Sequence, residues 1–327
     1  MPEQARPAEL EIRRVRDLGE RPDYRKVRRA LETARVHRIS PGAYAPNSAW
    51  QALPPRERHR LKVVEATARM QHPAVISHFA AASVHGIEIL GAWPSRIDVR
   101  VAAGRGGRSS GLIRRHGIGV VDVDALDWGV HRITTPAQTA IDIAAVADHE
   151  LAVVVFDQVL WARRPGGALA TMAELRMLAE RRSSPKGAAR IRRALEVATS
   201  LSDSVRESQS RVLLKRLGFP EPVLQHPFQL PDGSTARTDF FFPEQNHVGE
   251  FDGIGKYLDP ELLQGRSPEA ALIAEKDRAD AISRLVGRVS RWRTPNLRRP
   301  RELYDILIAD GLPSSLPPPP RSLRLPR

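Results

Sequence analysis

The stretch from Thr235 to Tyr257 constrains the fold of this chain more than any other, because its residue types place a turn between two apolar runs. Phe240-Phe241-Phe242 precedes the turn, and the run from Val248 to Phe251 follows it. Between them, Pro243-Glu244-Gln245-Asn246 supplies residues that favour tight turns. The stretch therefore predicts a β-hairpin whose strands are rich in aromatic residues.

The register of this hairpin brings acidic side chains together. When Phe242 pairs with His247, counting outward along the strands places Asp239 directly opposite Glu250. Carboxylates in directly opposed positions repel each other and weaken a sheet. A hard divalent cation, which prefers oxygen ligands, would neutralise them. The spacing thus raises the hypothesis of a cation site on this hairpin.

A second interpretation needs no cation. The same count places Arg237 opposite Asp252, on the same side of the hairpin. Acidic residues on strands are often solvated, or paired with a neighbouring cation such as Arg237 or Lys256. Spacing alone leaves both interpretations open.

Length and composition restrict the class of protein. A chain of 327 residues is long enough for two or three domains. The absence of cysteine excludes disulfides, thiolate zinc sites and cysteine nucleophiles. Neither a membrane-spanning apolar run nor a signal peptide is evident, so we expect a cytoplasmic protein with no membrane partner.

The charge balance indicates a polyanionic partner. Lys and Arg together number 51 against 38 acidic residues, a formal charge of +13. Nucleic acid is the commonest partner of such a chain, and double-stranded DNA is the form we expect. Codon usage in a GC-rich genome would explain the preference for Arg over Lys, but it explains the net excess less well.

Residues 1–50 predict a DNA-binding module. A basic helix begins near Tyr24, and a short hairpin follows around Pro41-Gly42, which is the pattern of a winged helix-turn-helix. A solvated basic helix face is the simpler alternative. The residues expected to contact nucleic acid in this module are Arg25, Lys26, Arg28, Arg29 and Arg38.

Residues 51–200 read as a middle domain of mixed helices and strands. His78 and His85 lie seven residues apart, but without a third ligand at a useful spacing we expect buried, hydrogen-bonded histidines instead of a metal site. Asp142 lies inside an apolar helix, where we expect it to pair with Arg132 or with a backbone donor. Residues 181–193 form a basic stripe suited to phosphate contacts.

Residues 204–312 predict a third domain. Ser204 and Glu207 have the spacing of a helical capping box, and that helix should end at Gly218. A strand, the hairpin, a helix, a strand and a closing helix follow. Residues 313–327, rich in Pro and Ser, should be disordered.

This order of elements resembles the core of the PD-(D/E)XK nuclease superfamily, most closely the branch similar to very-short-patch-repair endonucleases. The likeness rests on Asp239 in TDFFFP, on Glu250-Phe251-Asp252-Gly253, on the EKDRAD helix and on GRVSRW. It implies a restriction-endonuclease-like αβββαβ domain, an α/β architecture overall, and Mg²⁺ or Mn²⁺ as cofactor.

The resemblance also implies roles for individual residues. Asp239 and Glu250 would bind the metal, with the backbone carbonyl of Phe251 as a further ligand. Glu207 would bind metal through water or act as a base, and Lys276 and Arg278 would clamp the phosphate. Asp252 occupies the position of the superfamily's signature lysine, which leaves two options: Lys256 replaces that lysine, or the site is degenerate.

The amino-terminal two thirds resembles AbiEi-type antitoxins and transcriptional regulators of actinobacteria. The likeness rests on ISPGAYAP, SHFAAASVHGI and ITTPAQTAIDIA. It implies operator binding by the winged helix and, in a toxin–antitoxin pair, a cognate toxin as partner. Three functions therefore stay open: a DNA endonuclease, a repressor whose nuclease-like domain has lost catalysis, or a DNA-binding protein of mixed architecture with no toxin partner.

Overall fold

The computed structural model describes residues 11–14, 24–104, 111–182, 184–253 and 267–325. The chain divides into two compact units. The first unit comprises Met1–Glu88, Ala92–Val146 and Ala173–Ala188, and the second comprises Ile89–Gly91, Ala147–Met172 and Ala189–Arg327. The sequence predicts three consecutive domains and a tail instead. Across the described residues, no helix combines the length and apolarity needed to cross a membrane.

The first unit begins with the predicted basic helix and hairpin. Ile39 and Ala45 of the hairpin pack with Trp50 of the following helix in a small core. The three strands form an antiparallel sheet in the order β1-β3-β2. The elements are β1 (Arg13–Arg14), α1 (Tyr24–Glu32), β2 (Val36–Ser40), β3 (Ala43–Pro46) and α2 (Asn47–Ala52).

The rest of the first unit is a mixed sheet with helices packed on it. Its order is β6-β5-β4-β8-β7, with parallel pairs β5–β6 and β4–β8. The elements are α3 (Pro55–Thr67), β4 (Val75–Ile76), α4 (His78–His85), β5 (Ile97–Arg100), β6 (Ile113–His116), β7 (Ala125–Trp128), β8 (His131–Thr134), α5 (Pro136–Val146) and α7 (Met172–Arg181), with α6 falling in the second unit.

The two histidines of α4 are hydrogen-bonded, as expected, and His78 is buried while His85 is half-buried. The ring Nδ1 of His78 lies 2.9 Å from Ser77 Oγ. Nε2 of His85 lies 2.7 Å from the carbonyl oxygen of Thr134. Each ring therefore has a structural partner within the first unit.

The predicted partner of Asp142 is wrong. Arg100 Nη1 donates to both carboxylate oxygens of Asp142, at 2.7 and 2.8 Å. Arg132, the expected partner, is exposed and donates to the carbonyl of Ala125. The sequence could not show this pairing, because Arg100 lies on a strand 42 residues away.

The second unit contains the predicted order of helix, three strands, helix and strand. Its sheet has the order β12-β11-β10-β9, antiparallel except for the β11–β12 pair. Parallel neighbours need a crossover connection, and α10 lies in it. The elements are α6 (His149–Leu160), α8 (Ala188–Leu195), α9 (Val205–Arg216), β9 (Val223–Gln229), β10 (Thr235–Phe242), β11 (His247–Phe251), α10 (Pro268–Leu285), β12 (Arg288–Trp292), α11 (Thr294–Arg298) and α12 (Pro300–Ala309).

Alternation along β10 and β11 distributes their side chains between two apolar clusters. Phe240 and Phe242 pack with α9 and with Trp292 of β12. Val248 packs with Ile282 of α10. The sheet therefore lies between α9 and α10, and the acidic residues of the hairpin are held on strands fixed from both sides.

The expected disorder of residues 313–327 does not apply to the part that the structure describes. Ser315 N–H donates to the carbonyl of Gly218 at 2.9 Å, and Leu325 N–H donates to the carbonyl of Arg298 at 3.0 Å. The hydroxyl of Tyr304 donates to the carbonyl of Leu316. The segment buries little side-chain area, but its backbone groups find partners on the domain.

Candidate active site

The hairpin has the predicted register. Backbone pairing runs from Phe242–His247 to Phe240–Gly249, around a single 3₁₀ turn at Pro243–Gln245. Asp239 is the next residue outward on β10, so it stands opposite Glu250 on β11. Asp239 Oδ2 accepts a hydrogen bond from the backbone N–H of Phe251 at 2.9 Å. The side chain of Asp239 thus ties the two strands together where the backbone pairing ends.

Glu250 is nearly buried, and arginines surround its carboxylate. Arg278 Nη2 lies 3.3 Å from both carboxylate oxygens, and Arg291 Nε lies at 4.0 Å. Arg278 also donates from Nη1 to the carbonyl of Arg237 at 2.8 Å. The predicted phosphate clamp Arg278 is therefore at the site, where it pairs with a predicted metal ligand.

Glu207 closes the amino terminus of α9. The Ser204 hydroxyl accepts from the backbone N–H of Glu207 at 3.1 Å and donates to its Oε1 at 2.9 Å. Oε2 accepts from the backbone N–H of Asp203 at 3.0 Å and from Gln225 Nε2 at 2.9 Å. The predicted cap of α9 by Ser204 is confirmed, but the capping box is modified, because Glu207 reaches back to the backbone N–H of Asp203, one residue before the cap. The carboxyl group of Glu207 is buried among these contacts.

Burial and the neighbouring carboxylate of Asp239 act on Glu207 in the same direction. Desolvation disfavours the charged form, and the Asp239 charge adds to that effect, so together they raise the pKa of Glu207 to about 7. The hydrogen bonds from Asp203 and Ser204 oppose them. Glu207 therefore belongs electrostatically to the same site as Asp239, although it lies on a different element.

The hairpin count predicts Asp252 opposite Arg237, but β11 ends at Phe251, one residue before Asp252. Its carboxylate pairs with Arg293, at 2.8 Å from Nε and 2.6 Å from Nη2. Its backbone N–H donates to the carbonyl of Trp292 at 2.8 Å. Asp252 is thus bound to the end of β12, beside the predicted metal ligands.

The two predicted lysines differ in their placement. Lys276 lies exposed on α10, two residues before Arg278. Residues two apart on a helix do not face the same side, and it is Arg278 that reaches Glu250. Lys256 lies outside the described residues.

Gln225 is a residue of this site that the sequence analysis did not single out. The β9–β10 register, with Thr238 paired to His226 and Phe240 to Leu224, places Gln225 opposite Asp239. Its φ of +53° is unusual for a residue that is not glycine. The register could have been counted from the Pro231-Asp232-Gly233 turn, but the backbone twist that turns its amide to Glu207 leaves no sequence signal.

The donor set suits a hard cation only in part. Asp239 and Glu250 supply carboxylates from adjacent strands, and Phe251 supplies a backbone carbonyl nearby. Mg²⁺ is often held by one or two carboxylates, with waters and substrate phosphate completing its shell. In the described part of the chain, no three His, Asp or Glu side chains converge into a ready ligand set. Asp239 and Glu250 therefore fit a site in which two carboxylates hold the ion.

The residues expected to contact nucleic acid lie at the start of the first unit. Arg25, Arg28 and Arg29 are exposed on α1, and Arg28 makes an exposed ion pair with Glu32 at 3.4 Å. Arg38 is exposed on β2. Lys26 is also on α1, but its side chain is outside the description. The structure thus places these cations on consecutive elements of one small sheet-and-helix module.

Comparison with known proteins gives sequence relatives without an established activity. No family model matches the chain. It is 26% identical over 140 residues to two proteins of Mycobacterium tuberculosis, the uncharacterized protein Rv2248 of strain H37Rv and the uncharacterized protein MT2308 of strain CDC 1551. The match covers 42% of this chain, and the chain spans about half the length of these relatives.

Proposed function

We propose that the second unit is a Mg²⁺- or Mn²⁺-dependent endonuclease domain that hydrolyses phosphodiester bonds in DNA. The observation that carries this proposal is the opposition of Asp239 and Glu250 on adjacent strands, with the buried Glu207 coupled electrostatically to Asp239. The order of elements from α9 to β12 agrees with the resemblance to the PD-(D/E)XK superfamily.

The residues of the site have complementary chemistry for hydrolysis. A divalent ion held by Asp239 and Glu250 would lower the pKa of a bound water and neutralise charge on the scissile phosphate. Glu207, with a pKa of about 7, accepts or releases a proton near neutral pH, which suits a general base. Arg278 supplies positive charge beside Glu250, where it can contact a phosphate group.

DNA binding is assigned in this proposal to the first unit. The exposed arginines of α1 and Arg38 of β2 form a basic module of helix and hairpin. Its elements agree with the winged-helix pattern, in which a helix enters the major groove. The excess of basic residues in the whole chain supports a polyanionic partner.

A second candidate function is a repressor of the AbiEi type, partnered by a cognate toxin, with a nuclease-like domain that no longer cleaves. Two ion pairs favour it. Glu250 is already compensated by Arg278, and Asp252, in the signature lysine position, is compensated by Arg293. A site whose carboxylates are neutralised within the protein has less need of a metal ion.

The test is metal-dependent nicking of supercoiled plasmid by the full chain and two variants. Asp239→Asn should lower the nicking rate at least about a hundredfold, because losing one of two metal-binding carboxylates removes several kcal/mol of transition-state stabilisation. Glu244→Gln removes the same charge from the exposed turn of the same hairpin and should nick like the wild type.

Binding to the same plasmid separates the candidates. Retained DNA affinity with lost nicking in Asp239→Asn supports the nuclease. If the wild type shows no nicking with Mg²⁺ or Mn²⁺ but binds the DNA upstream of its own gene in a salt-sensitive way, the endonuclease proposal fails and the repressor stands.

A further inference from the structure

The first unit contains a cavity of about 170 Å³ that lies far along the chain from the acidic hairpin. A water occupies about 30 Å³ of liquid, so the cavity holds roughly five or six waters, or a phosphate group with a few further atoms. The charged side chains in its lining, together with one amide, are Arg100, Asp122, Gln138, Asp142, Arg181 and Arg182.

One arginine–aspartate pair forms the fixed wall of this cavity. Asp142 is 1% exposed and accepts from Arg100 Nη1 and from Gln138 Nε2. Arg100 also donates to the carbonyl oxygens of Gly119 at 2.9 Å and Ile118 at 3.3 Å. These contacts use the donors of Arg100, so the pair contributes little net charge to a ligand.

Arg182 is a second arginine of this wall, and among the described residues it has no ion pair with a carboxylate. Burial lowers the pKa of its guanidinium, and the positive charge of Arg100 lowers it further, while Asp142 raises it. Within the described part of the chain, Arg182 donates from Nη1 to the carbonyl of Ser184, and no carboxylate lies within ion-pairing distance of it. A half-buried guanidinium in this state favours an anion.

Arg181 adds a second guanidinium at the rim. Its side chain is 54% exposed, and the carboxylate of Asp124 is 3.9 Å away, at the limit of an ion pair. Val121, which also lines the cavity, is 79% exposed. The rim therefore combines a cation with an apolar side chain, which suits a phosphate ester better than a bare ion.

Gly187, three residues after Ser184, packs closely against the end of α5. Its φ is +86°, and a Cβ there would lie 2.3 Å from the carbonyl oxygen of Ala145 at the end of α5. Only glycine allows the backbone to approach this closely. The contact holds the turn after Ser184 against the helix that carries Asp142, so the cavity wall is built before any ligand enters.

We propose that this cavity binds a phosphate oxyanion through Arg182 and Arg181, with the Arg100–Asp142 pair as its support. The planar fork of a guanidinium matches two oxygens of a phosphate group. The phosphate belongs either to a free nucleotide or to a nucleic-acid backbone. This inference does not depend on the endonuclease.

The experiment is calorimetric titration of the full chain with inorganic phosphate, with deoxyadenosine 5′-monophosphate and with a short DNA duplex. Arg182→Gln should weaken phosphate binding at least tenfold. Arg176→Gln, an exposed arginine on α7 outside the cavity lining, removes the same charge and should leave the affinity unchanged. Arg181→Gln, at an exposed position whose ion pair with Asp124 is at the distance limit, should weaken binding severalfold and serves if Arg182→Gln fails to fold.

The arms distinguish the source of the phosphate. Mononucleotide binding lost in the cavity variants identifies a free nucleotide as the ligand. Duplex binding lost in those variants, without mononucleotide binding, identifies the nucleic-acid backbone. No binding of any of the three, or binding equal in Arg182→Gln and Arg176→Gln, would overturn the proposal.

Discussion

At the scale of single residues, the surroundings of Glu207 have opposing effects on the pKa of its carboxyl group. As the third residue of α9 it accepts hydrogen bonds that stabilise its charged form. Burial and the charge of Asp239 destabilise the same form and raise its pKa to about 7. In the unfolded chain the pKa of Glu207 returns to its ordinary value of about 4.5.

This difference predicts a pH-dependent loss of stability. The folded state carries no penalty below the unfolded pKa, where Glu207 is protonated in both states. The penalty grows as pH rises from about 4.5 through 7, because the unfolded chain ionises first. Across that window the free energy of unfolding should fall, relative to that of Glu207→Gln, by a few kcal/mol, on the order of 1.4 kcal/mol for each unit of pKa difference. Urea unfolding of both proteins at several pH values measures it, and parallel profiles would contradict it.

Counting residues predicted part of the candidate site and missed the rest for physical reasons. The opposition of Asp239 and Glu250 follows from period-two alternation and a short turn, which are local properties. The pairing of Asp252 with Arg293 depends on where β11 ends and on a parallel neighbour. The contact of Gln225 with Glu207 depends on a backbone with positive φ.

At the scale of elements, the hairpin is fitted closely to β12. A Cβ on Gly249 would lie 2.7 Å from the ring of Trp292, which is 1% exposed. That ring is held further by its Nε1–H, which donates to Ser210 Oγ at 2.8 Å. Neither the ring nor the strand has room to move away.

Gly249→Ala should therefore destabilise the protein by about 1–3 kcal/mol, the cost of overpacking a core. Gly253→Ala is the matched control, because the contacts that its Cβ would make with described residues are ordinary ones with Phe251, from 3.4 Å outward. We expect the control to change stability by less than about 0.5 kcal/mol. Thermal unfolding of the two variants compares them, and equal losses would show that the contact with Trp292 is unimportant.

Element types were more predictable than their surroundings. Caps at Ser204 and Thr135, and apolar alternation in β10, gave the helices and strands close to their observed bounds. The composition of residues 313–325 predicts little side-chain burial and therefore disorder. The segment is ordered instead by backbone hydrogen bonds to the domain, which composition does not reveal. The sequence predicts Arg132 as the partner of Asp142 because it reveals only which residues are close along the chain. The observed partner, Arg100, is 42 residues away.

At the scale of the whole molecule, the two units interleave along the chain. Ala173–Ala188 belongs to the first unit, although residues on either side of it belong to the second. Linker composition signals only boundaries that fall between consecutive domains. A segment such as Ala173–Ala188, where the chain passes from the second unit to the first and back, has no such signal. The domain boundaries predicted near residues 50 and 200 therefore do not include it.

The net charge of +13 predicts that the DNA affinity of the full chain falls as the salt concentration rises. Each phosphate neutralised by a cation contributes about −0.9 to the slope of log affinity against log salt. Arg29→Gln, on exposed α1, should weaken binding and make that slope shallower by about 0.9 if Arg29 contacts a phosphate.

Arg176→Gln has the same net charge as Arg29→Gln and lies outside the basic module. Fluorescence anisotropy of a labelled duplex over a range of salt concentrations compares the two. Identical slopes for the two variants would mean that Arg29 makes no phosphate contact of its own. DNA affinity would then depend on the net charge of the whole protein.

The parallel pairing of β11 with β12 has a consequence for how the chain is made. β11 is buried along its whole length between β10 and β12. β10 leaves the ribosome just before it, but β12 follows only after α10 has been synthesised. During that interval a buried strand has one open edge, and open edges recruit other chains. Between the synthesis of Phe251 and that of Trp292, the edge of β11 that β12 will cover is therefore open to pairing with other chains.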